Sequence, residues 1–422
     1  MNKIIPMRYL LVFATFTLSL ILYIDRVCIS AAKSAISSDM RFTDTQMGWV
    51  MSAFALGYAL MQIPSGLMSD RYGPRGVLTV IVGVWSVFTA LTGAVKGLIS
   101  MLTVRFLFGA GEAGAFPGIS RSVYSWFPVK ERGIVTGINF SGSRLGAAFA
   151  FPLVAWMVSY FGWRTSFYLM GAVGVLWAVF WYFWFRNDPK DHPGISETEK
   201  DYIVANRQQS KDEKEEDAGF SAKAMFKSKN VWLAMFQYFS TNFITFFCLT
   251  WMFPYLQDRF GMSALETGGY AMIPLIFGAF GNWVSGSMVD YIYRKGNWKQ
   301  SRSIPAIAGF ALVIIGIAGI VSVNGVLPAV IFLSLAVFGA DMVLSPSWSL
   351  CVDIGKSYSG TVSGTMNMAG NIGSFITGIA FPYLALWTGT SNTFFVIAGI
   401  MAMFSIGCWL AIDPSKPIAQ ND

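Results

Sequence analysis

The chain has 422 residues, of which 54% are hydrophobic and only 13% charged, with a formal net charge of +7. A soluble chain carries about twice that share of charge, so the composition excludes a soluble domain and defines a polytopic α-helical protein of the lipid bilayer. The Lys and Arg are spread over many short loops, which excludes a nucleic-acid face. The single histidine, His192, lies in a polar stretch and is expected to be a solvated surface side chain. Four cysteines (Cys28, Cys248, Cys351 and Cys408) lack paired spacing and are expected to be reduced. No metal site or cofactor is implied, and any proton transfer inside the membrane falls to carboxylates.

In chain order, apolar runs of spanning length occur at 9–31, 47–69, 76–95, 99–121, 133–160, 165–185, 231–256, 264–288, 303–323, 327–350, 360–387 and 392–411. Six runs, a break and six more predict an all-α integral membrane protein of 12 transmembrane helices. Residues 1–185 form one six-helix bundle, 186–230 a cytosolic linker and 231–422 a second bundle. Arg8 with Leu10–Ile24 mimics a secretory signal, but its cleavage would discard Asp25-Arg26. The linker carries the run KDEKEED at 211–217, and Ser196 to Glu199 spell a capping box that predicts a short surface helix.

One set of loops holds Lys3, Arg8, Arg71, Arg75, Lys130, Arg132, the linker, Arg294, Lys295, Lys299, Arg302, Lys356 and Lys416. The opposite set holds Lys33, Arg41, Lys96, Arg164 and Arg259. By the positive-inside rule both termini and the linker are cytosolic, in a multi-pass plasma membrane protein. The halves also repeat. Ser65-Gly66-Leu67-Met68-Ser69-Asp70 returns as Ser285-Gly286-Ser287-Met288-Val289-Asp290, and Phe108-Gly109-Ala110 as Phe338-Gly339-Ala340. An acid and then a proline follow each time, Glu112 with Pro117 and Asp341 with Pro346. Gly133, Gly137, Asn139, Gly142 and Gly146 match Gly360, Gly364, Asn367, Gly370 and Gly373. Two halves in the same orientation put a binding site between them at the midplane.

The stretch Val104–Arg132 holds Arg105 and Glu112 inside an apolar run. A charge at a helix centre costs about 2.5–3.5 kcal/mol on insertion scales, which makes such residues functional candidates. The pair leaves one helix face, roughly 10 Å apart along the axis. Gly109, Gly111 and Gly114 spell a dinucleotide fingerprint, but it lacks the strand and polar loop that the motif needs. Ala110, Gly114 and Gly118 instead provide small residues for close helix packing. Sorted by half, Arg26, Arg105, Arg121 and Arg144 stand against Asp25 and Glu112 in the first, and Asp341 is the acid at depth in the second. A positive wall suits an anionic substrate, which a guanidinium fork binds through two parallel hydrogen bonds. Asp25 and Arg105 both lie nearer the outer surface, which allows an ion pair between them. No nucleotide loop, ligand cluster or nucleophile with a base is present, so an enzyme is not expected.

Gly66-x-x-x-Asp70-Arg71-x-Gly73 with Arg75, and Gly162-Trp163-Arg164, resemble the major facilitator superfamily. Tyr23-Ile24-Asp25-Arg26, Gly111-Glu112 through Phe116-Pro117, Trp126-Phe127-Pro128 and Glu131-Arg132 resemble its anion:cation symporter family. That resemblance implies a monomeric secondary transporter of the bacterial inner membrane, importing a sugar acid (hexuronate, aldonate or aldarate) with protons. It implies proton coupling at Asp25 and Glu112; the burial of Glu112 near mid-membrane leads us to expect that it loads a proton when the site faces outward. Arg26 is implied at the substrate carboxylate. Tyr23, Tyr58, Arg105, Ser143, Arg144, Trp251, Ser345, Ser347, Trp348, Asn367 and Asn371 complete the expected substrate-contacting set. Asp70, Arg71 and Arg75 are expected to gate. Ser143-Arg144, where sugar-acid members can carry a glutamine, and Asp341 are departures from the family pattern. Another carboxylate (tartrate, phthalate or an amino-sugar acid) or Na+ as the coupling ion remains the alternative.

Overall fold

The computed structural model describes residues 6–127, 129–206, 222–355, 359–416 and 418; at 63, 66, 67, 69–71, 129–134, 136, 222–224, 352 and 359–361 it describes the backbone only. Every regular element among the described residues is helical. The first half holds α1 (Met7–Ala31), α2 (Lys33–Met40), α3 (Asp44–Tyr72), α4 (Pro74–Ala94), α5 (Leu98–Glu112), α6 (Ala115–Trp126) and α7 (Val129–Trp184). Then come α8 (Glu197–Asn206) and α9 (Ala222–Lys227). The second half holds α10 (Lys229–Thr250), α11 (Met252–Phe260), α12 (Ala264–Arg294), α13 (Trp298–Ser322), α14 (Val326–Met342), α15 (Leu344–Gly355), α16 (Ser359–Thr388) and α17 (Asn392–Ala411). The charged run at 211–217 lies outside the described residues.

Nine stretches among the described residues are long and apolar enough to cross a membrane. One of them, Gly137–Trp184, is two passes in one. Gly162 adopts φ +79°, which a residue with a Cβ rarely tolerates, and α7 doubles back there. Gly142 before the bend and Trp177 after it therefore reach the same turns of α1, at Phe16 and at the Ala14 carbonyl. The long helices α3 and α10 are more polar and are not among the nine.

Three of the expected runs are interrupted, at Ala113–Gly114, Trp251 and Val343. Each gap precedes a proline by three or four residues. Pro117, Pro254 and Pro346 have no N–H to give the carbonyls of Ala113, Thr250 and Met342. Two of those carbonyls are used elsewhere. Ser30 of α1 donates to Thr250 O at 2.5 Å, and Ser285 of α12 donates to Met342 O at 2.5 Å. Pro64, Pro152, Pro274, Pro305 and Pro382 sit within helices that continue.

The internal repeat is visible in the packing. A Cβ on Gly146 would stand 2.5 Å from the Leu20 carbonyl of α1, and one on Gly373 would stand 2.5 Å from the Phe239 carbonyl of α10. The same glycine pattern thus brings α7 against α1 and α16 against α10. The glycines of the dinucleotide-like string are helix contacts too, with Gly109 on the Phe54 backbone, Gly111 on Val84 and Gly114 on Ser65 and Ile81. All four cysteines are free, as their spacing predicts.

The connecting segment departs from expectation. His192 is not solvated; it is 7% exposed, set edge-on against Trp126 and Trp184 with ring centroids at 5.4 and 5.7 Å. The capping box is half made. Ser196 Oγ accepts from Glu199 N at 3.3 Å, but the Glu199 carboxylate crosses to the start of α1, where it accepts from Met7 N at 2.9 Å and Arg8 N at 3.0 Å. An acid at those free amides also complements the helix dipole.

Burial, reinforced by the Arg186 charge, pushes the His192 imidazole below its ordinary range. The folded state thus holds His192 neutral. Docking stability is present above the unfolded value near 6.5 and is lost as pH falls through the lowered folded value. Amide-exchange protection factors over 186–206, each taken against the intrinsic rate at the same pH, are expected to fall several-fold on going from about pH 7.5 to about pH 5. His192→Gln should flatten that dependence; a wild-type profile in the variant would contradict the assignment.

Candidate functional site

The site begins where α5 stops. Glu112 is the last residue of α5, at the gap set by Pro117, and is fully buried. Its Oε1 pairs with Nε of Arg26 on α1. The Arg26 guanidinium is ringed by Tyr23, Phe54 and Tyr58, with ring centroids at 4.8, 5.2 and 4.7 Å. This cage holds the arginine through cation–π attraction. Arg26 Nη2 and Glu112 Oε2 are buried without a hydrogen-bond partner among the described residues. Such orphans are costly unless a ligand or proton meets them.

Asp25 is 1% exposed and accepts from the Trp85 indole at 3.2 Å, while its Oδ1 has no partner. Arg105 is 2% exposed; its guanidinium lies over Phe108 at 4.5 Å, and its Nε is an orphan. Asp25 and Arg105, whose depth allows an ion pair, do not form one. Both interact electrostatically with Glu112, whose direct partner is Arg26. Two acids and two arginines therefore share one buried region with a single ion pair among them.

A second ion pair joins the halves. Arg144 Nη2, on the first arm of α7, meets Asp341 Oδ1, at the end of α14, at 2.5 Å. Arg144 also lines a cavity of about 410 Å³ between the halves, together with Phe140, Ser141, Asn282, Trp283, Ser345, Trp348 and Ser349. Those residues lie on the parts of α7, α12 and α15 nearer the end of the molecule that carries the termini.

The opposite, far end is sealed. Lys33 Nζ reaches Asp44 at 2.7 Å and, across the halves, Asp258 at 3.5 Å. Ser34 donates to Gln257 at 2.7 Å, and Ser52 to the Phe375 carbonyl at 2.8 Å. Beyond this seal is a vestibule of about 790 Å³ with Asp44, Trp251, Asp258 and Arg259 in its wall.

Other sequence-predicted residues fall in different places. Ser345 and Trp348 line the cavity. Ser347 does not: it is fully buried, donating to Val343 O at 2.7 Å and facing Gln237 at 3.2 Å. Ser143 is 2% exposed, with its hydroxyl toward Asn139 O at 3.5 Å. Trp251 is packed under Phe381 and donates to Gly378 O at 3.0 Å, on the far side of the seal. Asn371 bridges the Asn367 carbonyl at 2.9 Å and, in the other half, Gln62 at 3.4 Å. Arg75 is engaged within the first half, donating to Tyr182 O at 2.9 Å. The side chains of Asp70 and Arg71 lie outside those described. Lys33 and Trp85 were not foreseen; the one signal for Lys33 was a cation at the end of a run on the cation-poor side.

The family model for the Major Facilitator Superfamily matches residues 15–378, and the chain belongs to that superfamily. Within it, the chain stands among transporters of organic acids; it is a secondary transporter and not an enzyme. It is 34% identical to the "Probable sulfoacetate transporter" of Cupriavidus necator, covering 100% of this chain and 97% of that one. It is 33% identical to the hexuronate transporter of Bacillus subtilis, over 92% and 91% of the two chains. Among solved structures, a bacterial homologue of the lysosomal transporter Spinster, inward-facing and unoccupied, matches with a TM-score of 0.76 at 19% identity over 97% and 99%. A D-xylose–proton symporter matches with a TM-score of 0.75 at 14% identity over 96% and 98%. These two share the fold.

Lys33 gives the seal its charge. Lys33→Ala should loosen the far end and raise labelling of the native, buried Cys248, which faces Arg144 of the other half, by an impermeant maleimide several-fold. Mass spectrometry of the labelled peptide reads this, and equal labelling in wild type and variant would count against the seal.

Proposed function

We propose that the protein imports an organic anion, a sugar acid of the hexuronate, aldonate or aldarate kind, together with protons. The halves 1–185 and 231–422, joined by the cytosolic linker 186–230, alternate access to a site between them. The carrying observation is the buried Arg26–Glu112 pair with an orphan nitrogen on one partner and an orphan oxygen on the other. When Glu112 takes a proton it ceases to hold Arg26, and the arginine fork becomes available to a carboxylate. Proton and anion then cross as a neutral set, with Asp25 as a second acid in the same electrostatic group. Hydration on opening to the cytosol returns Glu112 to its charged form. The acid then competes for Arg26 and releases the cargo.

The names of the relatives support the cargo class, since hexuronate, galactarate/glucarate and galactonate transporters all cover nearly the whole chain at 30–33% identity. Ser345, Trp348 and Asn371 suit the hydroxyls and the apolar face of a sugar chain. The loop charges support twelve passes with both termini in the cytosol, in a bacterial inner membrane. The far-end seal then corresponds to an inward-open arrangement. Asp70, Arg71 and Arg75 would act when the cytosolic side closes. A second cargo reading, a short sulfonated acid, is favoured by the 34% identity to the sulfoacetate relative over the full chain.

The test uses proteoliposomes with an inward proton gradient. Wild type should accumulate labelled D-galactonate, and Glu112→Gln should lose at least tenfold of that accumulation while keeping exchange of internal for external anion. Accumulation by Glu112→Gln at the wild-type level would end the coupling assignment. Competition by unlabelled D-glucuronate, D-glucarate and sulfoacetate ranks the cargo.

A further inference from the structure

Asp341 stands in the second half where Glu112 stands in the first. Each acid lies at the end of a helix, beside a gap that a proline five residues on creates. Each acid is fully buried and each holds one arginine. The Arg26–Glu112 pair lies within one half, whereas the Arg144–Asp341 pair crosses between them. The carboxylate is inserted among packed helices: Gly278 of α12 supplies its room, since a Cβ there would strike Oδ2. That oxygen has no hydrogen-bond partner among the described residues. Among the described residues, the titratable groups facing Asp341 are Arg144 and the Cys248 thiol, so Arg144 is the one cation opposite it there.

Arg144 has two faces. One holds Asp341, which is not in the cavity wall; the other lines the 410 Å³ cavity between Ser141, Asn282 and Ser345. A ligand in the cavity therefore reaches the arginine without reaching its acid. Tyr23 links this pair to the first, since its ring carries Arg26 at 4.8 Å and it also interacts electrostatically with Arg144.

We propose that Arg144 and Asp341 form a second anion–proton exchange site, and that the two arginine–acid pairs together suit a cargo with two anionic groups, a dicarboxylate or a sulfo-carboxylate. The proposal rests on the reading of the protein as an anion carrier. An anionic group entering the cavity takes the Arg144 fork, and the Arg144–Asp341 ion pair breaks. Asp341, left buried among apolar groups and a thiol, takes one proton that solution supplies through the cavity as Arg144 turns away, and becomes a neutral acid. One negative charge enters with one positive charge, so the site keeps its net charge. Release reverses the step. A dianion engages both pairs and brings two protons; a monoanion satisfies one pair.

Calorimetric titration of the purified protein with D-glucarate, in two buffers of different ionisation enthalpy, counts protons taken up per anion bound. Wild type should take up about one proton more with D-glucarate than Asp341→Asn does, with binding retained in the variant. Arg144→Lys keeps the charge opposite Asp341 but removes the fork, and should weaken D-glucarate at least tenfold. That variant keeps the test decisive if Asp341→Asn does not fold. Equal proton counts in wild type and Asp341→Asn, wild-type affinity in Arg144→Lys, or no anion-linked proton uptake in wild type would each overturn the exchange. Uptake of labelled D-glucarate by proteoliposomes of the same preparations reports on the transport reading separately. Transport with equal proton counts sinks the exchange alone, and linked proton binding without transport sinks only the carrier reading.

Discussion

A charge held away from water must be answered by an opposite charge, by a dipole or by a proton, and this constraint orders the interior of the protein. Three acids (Asp25, Glu112 and Asp341) and three arginines (Arg26, Arg105 and Arg144) lie in the apolar body of the molecule. The answers are unequal. Glu112 and Asp341 hold arginines, Asp25 holds an indole, and Arg105 lies on a phenyl face. Several polar atoms of this group have no answer among the described residues. A set of charges that is nearly but not fully compensated can accept an anion and a proton, because each fills a deficit left by the other.

The two ion pairs differ in what motion does to them. Arg26 and Glu112 sit on α1 and α5 of one half, so rocking the halves leaves their distance unchanged and chemistry alone separates them. Arg144 and Asp341 sit on opposite halves, and motion as well as chemistry can separate them. The first pair is therefore suited to sense protonation, and the second to tie occupancy to the relative placement of the halves. The duplicated glycine pattern that brings α7 onto α1 and α16 onto α10 gives each half the rigidity to move as a unit.

Much of this architecture was legible in the residues. The apolar runs, the repeat and the glycine rows fixed the helices, their order and their closest approaches, since each depends on a local pattern. Arg26, Glu112, Arg144 and Asp341 each stood out as charges in apolar runs. Which acid answers which arginine was not legible. A shared depth allows Asp25 to pair with Arg105, but pairing also depends on azimuth around each helix and on the neighbour facing it. The same gap hid that Ser347 on α15, and Trp251 at the break between α10 and α11, turn to packing on Gln237 and Gly378. The breaks at 113–114, 251 and 343 were not read from the prolines that follow them, and five other prolines leave their helices intact. His192 looked solvated because its sequence neighbours are polar, while its spatial neighbours are two tryptophans.

Two of the bonds that close the far end run from a serine hydroxyl to a main-chain carbonyl of the other half, Ser30 to Thr250 and Ser52 to Phe375. A peptide oxygen survives any replacement of the side chain beside it, whereas a hydroxyl is lost with its residue. Drift along that seam is thus asymmetric: positions 250 and 375 can vary in identity so long as the backbone keeps its path, and positions 30 and 52 cannot. Related chains should show hydroxyl residues persisting on one flank of the seam opposite freely changing residues on the other.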